Sequence, residues 1–364
     1  NDYTTPEKNA VNELRREALD ALLKKQNAQL KTQDTAVQSA LEDSRQMLRD
    51  MEADGLLAKG TADVTAEHLG SFEGLAAEVK KTVLGQDAFV DSVVRAMRRP
   101  FVLGTERPAA RNVILLCGGA GTGRHFALAE TARIMAARGL LQSDKTAVVD
   151  LALYPNSGAE KLFLQDLYAA LQSDAEVLAF DHYESCASNY LNMLATLAID
   201  GTLPLTSRYV LQRGILVDVG TALAPGAIGE LQAAGKYFVF FSNRDETALA
   251  DKFGARFVDA LEGDICHTQA FTPESLAAIA ARELNHLAQR VKAQCGLVLA
   301  MGSDVRDLVA AQYGKTSGMT AMRDYVDSIY RAFAEYVLDA DDIPTAGTPA
   351  KLTVDGSRLM AAIG

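Results

Sequence analysis

Between Thr5 and Asp54 the apolar positions Val11, Leu14, Ala18 and Leu22 recur in 3-4-4 spacing, the period of one helix face. No glycine interrupts the stretch and no proline follows Pro6, so residues 1–60 are expected to form a helical arm, either one long helix or a hairpin. The stripe weakens from Gln26 to Ser44. A solvated spacer and a coiled-coil or partner-docking arm are both open readings. Gly55 and Gly60 punctuate its end, and Thr61–Gly70 reads as a linker.

From Phe72 onward the pattern changes. Apolar runs at Val113–Cys117, Ala147–Leu151, Val177–Phe180, Tyr237–Phe241 and Ile265–Phe271 have strand length, and amphipathic stretches separate them. Strands alternating with helices predict a parallel sheet covered on both faces, the doubly wound α/β arrangement, over residues 61–271. After Thr272 the helical period returns at Pro273–Cys295, Ser303–Gln312 and Met319–Leu338. A small helical domain is expected over residues 272–364, with Asp341–Gly356 as a loop or a final hairpin.

Composition narrows the function. A chain of 364 residues that is 48% hydrophobic and 23% charged can bury a core. Its net charge of −11 argues against nucleic acid or an anionic membrane as partner. Cys117, Cys186, Cys266 and Cys295 lie far apart without a CxxC pair, which suits a reducing compartment better than a disulfide framework or a zinc site. The five histidines form no HxxxH or HxxEH pattern, so a zinc enzyme is not expected. No apolar stretch approaches the roughly 18 residues needed to span a bilayer, and no signal-peptide pattern follows Asn1. The expectation is a cytoplasmic protein.

The most informative segment is RNVILLCGGAGTGRHF, Arg111–Phe126, where an apolar strand runs into Gly118, Gly119, Gly121 and Gly123 before a helix begins. In the phosphate-loop frame GxxxxGK followed by Ser or Thr, Gly118 and Gly123 fit, but Arg124 replaces the lysine and His125 the hydroxyl residue. The backbone part of that chemistry survives: glycines permit the bend, and amides at a helix N-terminus attract phosphate. The side-chain part is altered, because a planar guanidinium is no equivalent of an ammonium and imidazole is a poor ligand for Mg²⁺. A purely structural turn remains the bland alternative.

A second segment, VLAFDHYES at Val177–Ser185, ends an apolar strand in Asp181, where a carboxylate would help to hold Mg²⁺. His182 follows where an ATPase needs a glutamate to activate water, and Glu184 stands two residues on. For Asp181 alone, a loop or helix-cap carboxylate is the competing reading.

In this order the segments resemble the second ATPase module of Clp-type AAA+ unfoldases. VLGQD at Val83–Asp87, followed by a helix from Ala88 to Arg99, is similar to the family's adenine-site segment; FVFFSN at Phe238–Asn243 resembles its sensor strand; Phe253–Phe271 and Gly318–Ile329 resemble the stretch ahead of the small domain and the second sensor helix. The resemblance spans roughly Val64–Leu338 and implies an AAA+ P-loop fold with ATP or ADP and Mg²⁺ as cofactors. It implies an adenine site at Leu84 and Gly85, and phosphate contacts at Gly118, Gly121, Thr122, Gly123, Arg124 and His125. Asp181 would face the metal, His182 or Glu184 the attacking water, Asn243 would position water near the terminal phosphate, and Arg323, one turn beyond the sensor position, would line the nucleotide site.

The departures carry equal weight. Ala260 stands where the family has its arginine finger, with Arg256 nearby but out of place, and Thr320 replaces the second sensor arginine. No aromatic-glycine pore loop is found; Tyr154 and Tyr168 are expected to pack against the sheet. Together these changes imply weak or lost hydrolysis, with an assembly, adaptor or remodelling role among protein partners, in a homo- or hetero-oligomer of AAA+ subunits. Two alternatives stay open: an active chaperone-like ATPase forming a nucleotide-dependent ring, and a scaffold that binds no nucleotide. Ser185-Cys186 and Cys266-His267 lack a nucleophile elbow, and the arginines Arg95, Arg98, Arg99, Arg107 and Arg111 read as a solvated face or subunit contact.

Overall fold

The structure, a computed structural model, describes residues 17, 21, 24, 70–103, 110–221, 224–233, 235–244, 246–254, 257–258, 261, 264–315, 318–340 and 344–364. Except for three exposed helical positions, Glu17, Ala21 and Lys24, the expected arm and its linker lie outside the described residues. The chain divides into two compact units, residues 1–66 and 67–364, and the second carries the architecture below.

Eight strands occupy its first part: β1 (Asn112–Cys117), β2 (Thr146–Asp150), β3 (Val177–Asp181), β4 (Thr202–Gln212), β5 (Ile215–Gly220), β6 (Ile228–Gln232), β7 (Tyr237–Ser242) and β8 (Ile265–His267). Five of them form a sheet in the order β2-β3-β7-β1-β8, parallel throughout. These are the five runs picked out by their apolar character. Helices α1 (Leu75–Thr82) and α2 (Asp87–Leu103) precede them in the chain, and α3 (Arg124–Ala137), α4 (Glu160–Gln172), α5 (Ser188–Asp200) and α6 (Glu246–Phe253) lie between them.

Alternation along the strands explains why both faces are covered. Ile114, Leu116, Val177, Ala179, Val239 and Phe241 join Val79 of α1, Phe89 and Val93 of α2, and Leu128 of α3 in one buried cluster. Val113, Leu115, Leu178, Phe180, Phe238 and Phe240 join Phe163 of α4, Leu194 of α5 and Leu249 of α6 in another. Successive strand side chains point to opposite faces, so continuous apolar runs are what a sheet buried on both sides requires. The unit is α/β with a doubly covered parallel sheet.

The antiparallel trio β5-β4-β6 is an addition that the helix-strand alternation did not signal. Half of its strand residues are exposed, and it anchors through Leu203, Tyr209, Leu216 and Leu231 to the core built on Leu115, Phe180 and Phe240.

The C-terminal part contains α7 (Pro273–Cys295), β9 (Leu297–Met301), α8 (Ser303–Ala311), α9 (Met319–Asp339), β10 (Thr348–Asp355) and β11 (Arg358–Ile363). Thr272 caps α7 by accepting from the Ser275 amide at 3.2 Å, Pro273 opens it, and Gly296 ends it in the left-handed region. The expected helices are present, but the region is not purely helical: β9, β10 and β11 form a three-stranded sheet. Of the two readings for its end, a hairpin is observed, over Thr348–Ile363.

Candidate functional site

The glycine-rich loop joins β1 to α3 at the carboxyl edge of the sheet. Gly118 has φ 154°, and a Cβ there would lie 1.8 Å from Thr268 Oγ1, so no larger residue fits. The Gly118 amide donates to the Ser242 carbonyl at 3.0 Å, and the Thr268 amide to the Cys117 carbonyl at 2.9 Å. The loop is thereby pinned to the ends of β7 and β8. Thr122 Oγ1 closes it internally by donating to the Gly119 carbonyl at 2.8 Å. Gly123 precedes α3 in the left-handed region, and no side chain caps this helix. Its first amides are therefore available to an anion.

Arg124 points elsewhere than to a phosphate. Its Nη1 donates to the Ser242 carbonyl and its Nη2 to Asn243 Oδ1 at 2.6 Å, and the residue is buried. Burial lowers its pKa, against the opposing charges of Asp181, Cys117 and Glu184. One clamp thus consumes two expected site residues, the cation of the phosphate loop and the Asn243 amide that was expected to orient water.

His125 occupies the other altered position. Its Nε2 lies 2.6 Å from Asp181 Oδ2, and its ring stacks on Phe241 with centroids 3.9 Å apart and planes 4° from parallel. Burial pushes the Asp181 carboxyl up, but the His125 hydrogen bond and the charges of His125 and His182 outweigh it and hold the pKa below the ordinary value. Asp181 is thus engaged by an imidazole where a metal ligand was expected. His182 has φ 55°, and its Nδ1 lies 2.9 Å from Asp150 Oδ1, a bond that raises its pKa. Asp150 and Asp181 are register partners at the ends of β2 and β3. Glu184 instead lines a separate cavity of about 330 Å³ with Tyr183, Arg244 and Lys252.

Beside the loop lies a cavity of about 230 Å³ that gathers Leu84, Gly121–His125, Phe126 and, from the C-terminal part, Arg282, Thr320 and Arg323. Gln86 anchors the first wall, exchanging two hydrogen bonds with the Gln269 backbone at 2.7 and 2.8 Å. Gly85, with φ 73°, sits against Ser275 of α7. Gly318, which precedes α9 and lacks a side-chain cap, approaches the Gly121 Cα. The Arg282 and Arg323 guanidinium carbons lie 5.7 and 5.9 Å from the Phe126 ring centroid. Arg282 also donates to the Thr82 carbonyl, while Arg323 is exposed. The cavity thus combines an apolar wall, an uncapped helix start and two cations.

The structure brings together Leu84, Gly121, Thr122, Gly123, Arg124, His125 and Arg323 around one cavity. Gly85 and Gly118 support its walls, Asp181 and Asn243 are tied to its edge by His125 and Arg124, and His182 and Glu184 are directed elsewhere. Arg256 and Ala260, at the expected finger, lie outside the described residues. Asp150, Arg282 and Phe126 were not singled out from sequence. Arg282 sits one turn beyond Ile279 on the lining face of α7, a helical spacing that could have marked it.

Tyr154 is fully buried in the core built on Leu115, Phe180 and Phe240, and Tyr168 partly buried against it, as expected of packed residues. Burial pushes the Cys186 thiol up to about 11 and the Cys266 thiol to about 12, which leaves neither suited to nucleophilic attack. Arg99 pairs with Asp264 and Arg111 with Glu176. No helix among the described residues is long and apolar enough to cross a membrane. Among known proteins, no family model and no curated sequence matches this chain.

Proposed function

We propose that this chain is a degenerate Clp-like AAA+ module that binds an adenine nucleotide at the cavity beside the glycine loop and hydrolyses it weakly or not at all. The observation that carries the reading is the double engagement of Arg124 with the end of β7 and His125 with Asp181. The loop keeps its anion-binding backbone, while the side chains that would grip the terminal phosphates and the metal are spent on one another. The five-stranded parallel sheet and the order of the quoted segments support the family reading.

The cavity is smaller than the roughly 300–1,000 Å³ of ordinary ligand clefts, so a nucleotide would have to draw Arg282 and Arg323 off Phe126. Binding would then report on the position of α7 and α9, the behaviour of an assembly or adaptor subunit among other AAA+ subunits. The test is isothermal titration with ATP and ADP, with and without Mg²⁺, beside a phosphate-release assay. Binding that Mg²⁺ does not strengthen, with no sustained phosphate release, is the expected result. Brisk turnover abolished by Asp181→Ala would overturn it. No heat and no thermal shift with any nucleotide would favour the scaffold reading, to which the small cavity volume also points.

A further inference from the structure

Three donors of a different chemistry meet on the other side of the β1 end. Cys117 and His267 are register partners on the adjacent parallel strands β1 and β8, and Glu246 opens α6. One donor atom from each side chain lies within 4.8 Å of the other two. His267 Nε2 is 3.4 Å from Glu246 Oε2. That is longer than the roughly 2.7–3.2 Å of an N–H···O hydrogen bond. It equals the edge of a tetrahedron, about 3.4 Å, built on metal–ligand bonds of about 2.0–2.2 Å.

The second observation concerns Glu246 itself. Its Oε2 atom is buried and has no hydrogen-bond partner among the described residues. Such an oxygen has lost the partner that water gave it in the unfolded chain, and a cation held between it, the imidazole and the thiol would supply a new one. Cys117 is buried and His267 exposed, so the group has a dry wall and a side open to solvent.

We propose that Cys117 Sγ, His267 Nε2 and Glu246 Oε2 form a three-ligand site for a borderline divalent ion, Zn²⁺ or Co²⁺, with the fourth position left for water or an added ligand. Thiolate and imidazole select such ions over Mg²⁺ and Ca²⁺, which take oxygen. Binding replaces the thiol proton by the metal and releases that proton to solvent. Spacing in the sequence hides the group, because its ligands come from three separate segments. The two strand residues directly precede Gly118 and Thr268, the pair whose close approach shapes the glycine loop. An ion here would fasten the root of that loop, whether or not a nucleotide binds.

The full chain, stripped with a chelator and dialysed, is titrated with Co²⁺ and followed in the near-ultraviolet and visible. The expected result is one equivalent of cobalt, giving tetrahedral d–d bands and a thiolate-to-cobalt charge-transfer band that Zn²⁺ abolishes by competition. Cys117→Ser removes the charge-transfer band. Loss even of an outer-shell partner costs about 10–100-fold in metal affinity, so His267→Ala and Glu246→Gln are each expected to weaken cobalt binding at least tenfold while circular dichroism stays unchanged. Should Cys117→Ser not fold, those two variants, on less buried positions, decide alone. The proposal is overturned if the folded wild type gives no charge-transfer band, or if folded His267→Ala and Glu246→Gln bind cobalt as tightly as the wild type.

Discussion

Arg124 is buried; it shares the Ser242 carbonyl with the Gly118 amide and donates alone to Asn243 Oδ1, so its removal leaves the Asn243 amide oxygen without that donor. Arg124→Ala is expected to lower stability by about 1–3 kcal/mol, read as a shift in the urea midpoint at unchanged slope. A pH dependence follows from the neighbouring imidazole. The hydrogen bond to Asp150 raises His182 above its ordinary 6.5, so its contribution is complete below that pH and is lost as pH rises through the folded value. The carboxyl of Asp181, lowered from 3.8, contributes above that pH and loses its share as pH falls through its own folded value. Stability should therefore decline above about pH 6.5, and Asp150→Asn should flatten that decline in midpoints measured from pH 5 to 9. At this scale the sequence identified the positions but not their partners. Arg124 and His125 stood out as wrong for a phosphate loop. That one clamps a strand end 118 residues away and the other engages Asp181 depends on tertiary placement, which no local pattern encodes.

The elements were legible where burial imposes a period. Strands β1, β3 and β7 are apolar and buried on both faces and could be read directly, as could α7 with its Thr-Pro start and glycine stop, and the apolar runs of the edge strands β2 and β8 were read with them. The strands β4 to β6 and β9 escaped for the opposite reason, and the hairpin of β10 and β11 was only one of two readings. They alternate burial and exposure, carry polar residues and proline, and so merge into loops or neighbouring helices. The β1-to-α3 bend offers a prediction at this scale, because its glycines differ in what surrounds them. Gly118→Ala places a Cβ against Thr268 Oγ1, whereas the space around Gly123 is open and only its φ of 88° opposes a side chain. Gly123→Ala is expected to cost about 1 kcal/mol and Gly118→Ala about 2–3 kcal/mol, within the range of backbone strain plus overpacking, compared by thermal melts of the two variants.

For the molecule as a whole, the three hydrophobic cores fall between Phe72 and Leu352, inside the second compact unit. A fragment spanning residues 67–364 is expected to fold cooperatively with the melting temperature that the same transition has in the full chain; a non-cooperative or strongly lowered melt would show that residues 1–66 are needed. The carboxyl edge of the parallel sheet has a further property. Two acids stand side by side on β2 and β3, and each is already answered by a ring nitrogen from within the same chain. Such an edge meets each of its acids with a ring drawn from the chain itself. Replacing both rings by alanine, at 125 and 182, would set the two acids against each other. The double variant is then expected to melt about 2–4 °C lower, the shift that about 1 kcal/mol produces in a domain of this size, and to recover when Mg²⁺ or Ca²⁺ is supplied, whereas the parent protein should melt alike with either ion or neither.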